Sequence, residues 1–185
     1  MHAKLYISAV HMHAFFAERL RMKKELTRRL LSELLKDSKR SDRELAKVLG
    51  VSQPTVTRRR NRLVEEGMIR EFTIIPDFAK LGYEIMAITV GSYRVSRTPE
   101  LLERGQKWLN EHPSVIFASQ AQGMGRDGVM ISIHKNYTDY SRFMADLKST
   151  FGHAMKGTDT TIVSLEGFVA RPLSLRNLTD EKSEE

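Results

Sequence analysis

The sequence predicts an α+β chain: an N-terminal (winged) helix-turn-helix unit followed by a C-terminal ferredoxin-like β-α-β-β-α-β unit. Three observations carry this expectation. Two capped helical segments stand three residues apart near position 50. From residue 83 onward, β-branched runs alternate with helical stripes in the order strand, helix, strand, strand, helix, strand. The formal charge of +7 is also unevenly spread: residues 1–76 hold 17 Lys+Arg against 9 Asp+Glu, and residues 77–185 hold 13 against 14. The surplus sits wholly in the first part, which points to one part that meets a polyanion and another with a different task.

Composition sets the bounds. A chain of 185 residues, 41% hydrophobic and 29% charged, fits one ordinary or two small folded domains and not a disordered polymer. The absence of cysteine excludes disulfides and thiolate metal sites and fits a reducing cytoplasm. The early apolar run LYISAV is too short for a secretory signal, and no apolar stretch approaches the roughly 18 residues of a membrane span. A cytoplasmic location with no membrane partner is therefore expected.

Residues 1–22 read as an N-terminal extension. Its His11 and His13 lack carboxylate or thiol companions, so no metal is assigned to them. From Lys23 to Lys36, the leucines at 26, 30, 31, 34 and 35 form one helical stripe. Ser41 with Glu44 three residues later is a capping box, opening a short helix with Leu45, Ala46 and Leu49 that Gly50 ends. Ser52 caps the next helix, which runs to about Glu66 and stops at Gly67. Residues 23–70 thus form the helix-turn-helix domain. Residues 71–82 are a linker strand or hinge, interrupted by Pro76.

The second domain spans residues 83–171. A strand is expected at 83–93, and a helix at 98–110 with Thr98 as cap and Pro99 in its first turn. Strands at 115–122 and 128–134 flank the loop GMGRD, and a helix from Thr138 buries Tyr140, Phe143, Met144 and Leu147. A last strand at 160–169 precedes an acidic tail at 172–185.

The chemistry concentrates in SQPTVTRRRNRL, residues 52–63. Residues turn by about 100° along a helix. With Thr55 at zero, Arg58, Arg59 and Arg62 share a face with it, while Val56 and Leu63, with Val64 beyond, form the expected core stripe. A packed seam opposite a cationic ridge suits a helix lying in a groove of double-stranded DNA. Arginine meets phosphate or guanine in two-pronged fashion, and Thr or Gln bonds to bases or backbone. The candidate DNA contacts are Ser52, Gln53, Thr55, Thr57, Arg58, Arg59 and Arg62, although Thr57 points away from the ridge. Arg60 falls about 140° from Thr55, between Val56 and Leu63. Its guanidinium is expected to snorkel or to find a carboxylate.

The stretch LAKVLGVSQPTVTRRRNRLVEEGMIREFTIIPDFAKLGY, residues 45–83, followed by a β-α-β-β-α-β domain, resembles the Lrp/AsnC (leucine-responsive/asparagine regulator, feast/famine) transcription factors. The resemblance covers about residues 23–171 and is strongest across the helix-turn-helix and linker. It implies a sequence-specific DNA-binding regulator whose second domain dimerises, assembles further toward octamers and often senses an amino acid. Three positions depart from the pattern. Thr27 stands where relatives usually have aspartate, and Arg60 where they have Ile or Val. The glycine spacing in GMGRDG is also altered. Gly123, Gly125, Arg126 and Asp127 either line an effector site or form a tight hairpin turn.

Catalysis is not expected: His112, His134 and His153 are scattered, and no nucleophile elbow, metalloprotease motif or phosphate-binding loop is present. No cofactor is expected either. RNA binding on the second domain is disfavoured because its strand GVMISIH lacks the aromatics on which bases stack. The remaining alternative is an architectural helix-turn-helix protein that binds DNA with little specificity.

Overall fold

The computed structural model describes residues 24–95 and 98–179. The reading of residues 1–22, including His11 and His13, lies outside the described residues. Two compact units are present: one ends at Ile75 and regains the chain from Leu173, and the other is Pro76–Pro172.

The first unit holds α1 (residues 24–36), α2 (Asp42–Leu49) and α3 (Gln53–Glu65). Its α2 starts where local chemistry says it should. The Ser41 hydroxyl accepts from the Glu44 amide, and the Glu44 carboxylate accepts from the Ser41 amide. The Ser41 hydroxyl also donates to that carboxylate, and this bond, with the one from the Ser41 amide, holds the Glu44 carboxyl below its usual pKa. Gly50 then takes φ 69°, a left-handed conformation that side chains resist, so the chain turns within three residues into α3. Leu30, Leu34, Leu45, Ala46, Leu49, Val56 and Leu63 pack into one buried cluster. Val64 does not join it: the side chain is 45% exposed, which corrects the expected core stripe. α3 meets its neighbours along the narrow Val56–Leu63 edge, and Val64, a further 100° round, clears it.

Residues 70–77, where a linker strand or hinge is expected, form no helix or strand within the chain. Phe72, Ile74 and Ile75 are exposed there.

The second unit runs β1 (Ile85–Tyr93), α4 (Pro99–Glu111), β2 (Val115–Gly123), β3 (Arg126–His134), α5 (Tyr137–Phe151) and β4 (Met155–Ser164). The antiparallel sheet has the order β2-β3-β1-β4. Thr98 caps α4 and Asn136 caps α5, each accepting from the amide three residues on. Both helices pack on one face, where Ile85 and Ala87 meet Trp108, Tyr140, Phe143, Met144, Leu147 and Phe151. β4 begins five residues before the expected 160 and ends at 164, short of the expected 169. Gly157 and Asp159 read as turn residues, yet they pair with Ser92 and Val90 and extend the ladder along β1 to a bulge at Ser92/Tyr93, where Lys156 is the extra residue.

Residues directly opposite in an antiparallel pair share a face. Met86 faces Ile133, Ile88 faces Ile131, Val90 faces Val129, and Phe117 also faces Ile131. This apolar set lies on the side of the sheet away from α4 and α5. A short 3-10 helix, Arg176–Thr179, follows in the first unit.

Candidate nucleic-acid interface

α3 presents its N-terminal end without an acidic residue in its first turn. Backbone N–H groups there have no helical partner and favour anions. Ser52 makes no side-chain cap; its hydroxyl bonds instead to the Thr55 hydroxyl at 2.8 Å. Gln53 is exposed beside them.

The four arginines have separate environments. Arg58 is exposed and Arg59 half-exposed, and among the described residues neither forms an ion pair. Arg62 pairs with Glu66 at 2.5 Å on the surface, and both side chains are about half exposed. Arg60 turns the other way. Its Nη2 lies 2.8 Å from Asp42 Oδ1 and donates to the Arg40 carbonyl at 3.1 Å. By direction rather than distance, Asp42 Oδ1 and Arg60 Nε lack an aligned hydrogen bond, so the contact is coulombic more than directional. The Thr57 hydroxyl donates to the second oxygen of the same Asp42, at 2.6 Å, and to the Gln53 carbonyl. The Arg40 side chain meets Glu33 of α1, and Lys36 and Arg40 hold that carboxyl below its usual pKa. Arg60 therefore belongs to a chain of contacts tying α3 to the start of α2 and to α1.

Of the expected contacts, Ser52, Gln53, Thr55, Arg58, Arg59 and Arg62 are gathered on the outward side of α3, and Thr57 is engaged with Asp42. The outward face is centred differently from the expected ridge. Pro54, Arg58, Asn61 and Glu65 lie along its middle, and Thr55 and Arg59 at its half-buried margin. Asn61 was not singled out from the sequence, although helical spacing from Arg58 places it there. Its carboxamide is the group that pairs with an adenine edge.

The residues considered for an effector form the β2–β3 hairpin. Gly123 pairs with Arg126 across a two-residue turn, in which Met124 and Gly125 have φ of 50° and 69°. The Arg126 guanidinium reaches Ser92 of β1 and Asp159 of β4, and the Asp127 carboxylate accepts from the Tyr93 amide at 2.9 Å. Both polar side chains thus brace neighbouring strands. Among the described residues no cluster of three metal-ligating side chains exists, and no helix is long and apolar enough to cross a membrane.

A capped three-helix unit with a short turn before a cationic outward helix, carried in one chain with a ferredoxin-like unit, defines the helix-turn-helix class of DNA-binding regulator. Residues 23–70 match the family model described as winged helix-turn-helix DNA-binding. An uncharacterised HTH-type transcriptional regulator of Pyrococcus furiosus is 44% identical over 69% of this chain and 83% of its own. A second from that organism is 30% identical over 76% of this chain and 90% of its own. The fold resembles an AsnC family transcriptional regulator from Agrobacterium tumefaciens, with TM-score 0.62 at 22% identity over 75% of this chain and 88% of that one. It also resembles a Neisseria meningitidis transcriptional regulator solved with L-methionine, with TM-score 0.66 at 19% identity over 83% and 97%. The chain belongs to the HTH-type transcriptional regulators, and its fold is that of the AsnC family regulators among the solved structures. It is a DNA-binding transcriptional regulator and not an enzyme.

Proposed function

We propose that the protein reads specific sites on double-stranded DNA as a cytoplasmic homodimer, with α3 in the major groove, and that dimers assemble further toward octamers. The observation that carries the reading is the outward face of α3, where Arg58 and Arg59 stand without acidic partners among the described residues. Such cations are available to phosphate and guanine at no cost in broken ion pairs. The dimer reading is supported by the apolar sheet face of Met86, Ile88, Val90, Phe117, Val129 and Ile131. An apolar face of this kind is ordinarily covered in a soluble protein. A small effector such as an amino acid is part of the proposal. It is supported by the L-methionine complex of the Neisseria regulator, with the hairpin residues Gly123, Gly125, Arg126 and Asp127 as its candidate contacts.

Selection of bound fragments from genomic DNA at stated salt, with and without amino acids, tests the whole reading. A recurrent pair of half-sites supports specific dimeric recognition. Uniform recovery of random fragments would instead establish the low-specificity architectural alternative. On a selected site, Arg58→Ala and Arg59→Ala are each expected to weaken binding. A residue that contacts only phosphate lowers the salt slope by about 0.9, whereas a base contact costs about 1–3 kcal/mol of discrimination at one position. Unchanged affinity and slope in both variants would remove α3 from the interface.

A further inference from the structure

We infer that the second unit carries a binding site for an uncharged, mostly hydrocarbon small molecule, in the groove between α4 and the β2–β3–β1 part of the sheet. The groove is open to solvent along one side and offers about 360 Å³. An engineered apolar cavity of about 150 Å³ already holds benzene, so this one has room for a substituted aromatic ring or a branched alkyl chain of similar bulk.

The groove exists because side chains are missing from its floor and roof. Gly91 and Gly128 stand directly opposite each other across β1 and β3; on β2, Gln120 stands opposite Gly128, and Ala118, two residues back on the same face, opposite Met130. Glycine is disfavoured inside strands and marks places where another group approaches the backbone. Above this floor, Gly105 of α4 would meet no atom within 4 Å if it carried a Cβ. The helix is underfilled as a result: Trp108 is its one buried residue, Leu101 and Leu109 are half-buried, and Leu102 is 52% exposed. The tip of Met155 lies over Gly91, where an added Cβ would come within 2.8 Å of its methyl. Methionine is the side chain best able to move aside for a guest.

The chemistry of the lining selects the class of guest. No Asp, Glu, Lys, Arg or His lines the groove. A zwitterion or phosphate placed there would give up part of its water without gaining a counter-charge, which is unfavourable. Gln106 on α4 and Gln120 on β2 also line the groove and can bond to one polar group on the guest. The hairpin residues Gly123 to Asp127 are not part of this lining, so the site is separate from the effector reading above.

The test uses the full chain and the pair n-propylbenzene and L-phenylalanine, which share a ring and differ in charge. Trp108 lines the groove and is the sole tryptophan of the sequence, so its emission, excited where phenyl rings do not absorb, reports occupancy directly. Propylbenzene is expected to shift the emission saturably and raise the melting temperature, with L-phenylalanine leaving the Trp108 signal unchanged. Ala118→Leu and Gly105→Leu fill the space from opposite sides. Each is expected to weaken the propylbenzene response at least tenfold while the melting temperature without ligand holds or rises. The inference is overturned by any of three results: no saturable response to propylbenzene up to its solubility, equal responses in the folded filled variants, or equal binding of L-phenylalanine. Absence of DNA binding or of an amino-acid response, with the propylbenzene response intact, would count against the proposed function and not against this inference.

Discussion

Arg60→Ile installs the residue type that relatives usually carry, and the structure says that in this chain it destabilises. The change removes a charged donor from the Arg40 carbonyl and leaves Asp42 with the Thr57 hydroxyl and no cation. Breaking a fully buried pair costs about 3–5 kcal/mol, but these side chains are 23% and 18% exposed, so solvent screening lowers the figure. Isoleucine recovers roughly 0.8 kcal/mol for each methylene it newly buries. The balance is a loss of about 1–2 kcal/mol, confined to the first unit. Amide hydrogen exchange in α2 and α3 of the full chain reads this locally, as protection lowered about five- to thirty-fold. Adding Asp42→Leu to the variant should cost little more, because its partner is already gone. DNA affinity should fall while the salt slope stays constant, since Arg60 meets no phosphate in this arrangement. Exchange that is unchanged or slower in Arg60→Ile would refute the reasoning, and a slope reduced by about 0.9 would make Arg60 a DNA contact.

Three further outcomes are expected. Ser41→Ala removes one half of the capping box and should lower the stability of the first unit by about 1 kcal/mol, measured by the same exchange. Gly125→Ala forces a side chain into φ 69° and should cost about 1–2 kcal/mol, seen as a lower melting temperature of the second unit. His134 is 1% exposed, lies between Ser132 and Asp139, and has its pKa pushed below 6.5 by burial, with Asp139 opposing. The unfolded chain therefore binds the proton more readily. The contribution of neutral His134 is fully present above pH 6.5 and is lost as pH falls from there toward the depressed value. His134→Phe should flatten that part of the melting-temperature profile, and an unchanged slope would assign it to other groups.

What could be read from the sequence was chemistry that acts over three or four residues. Ser41 with Glu44, Gly50, Thr98 with Pro99 and Gly67 each set a helix end through bonds to their own neighbours, and the observed α2, α3 and α4 begin or stop beside them. What could not be read depends on residues far away in the chain. β4 starts at Met155 because β1 offers partners as far as the bulge at Tyr93, and no local pattern in KGTD reports that. The loop GMGRD closed to two residues because strand pairing continues through Gly123 and Arg126. At the interface, spacing placed Val56 and Leu63 inward and Arg58 outward. It does not give the width of the buried edge, which leaves Val64 exposed and Asn61 on the outward face. A carboxylate for Arg60 was foreseen in kind, but Asp42 lies 18 positions earlier and becomes its neighbour only once α2 packs on α3.

That neighbour explains how an arginine-dense helix can serve as a reading head. Four cations within five positions repel one another along one helix. Pairing Arg60 with Asp42 on the packed side neutralises one of them where water is scarce. Arg62 is screened by Glu66 at the surface, which leaves Arg58 and Arg59 without an ion-pair partner among the described residues on the outward side. The leucine and valine cluster beneath α3 supplies most of the burial, yet apolar packing alone tolerates small rotations of a helix about its axis. The directional bonds from Thr57 to Asp42 and from Arg60 to the Arg40 carbonyl depend on position and resist such rotation. Helix rotation decides which side chains reach a base edge, and a shift of about 100° would exchange one arginine for the next. On the proposed reading, an arginine in place of an aliphatic residue at this position acts on recognition through the angle at which α3 is held.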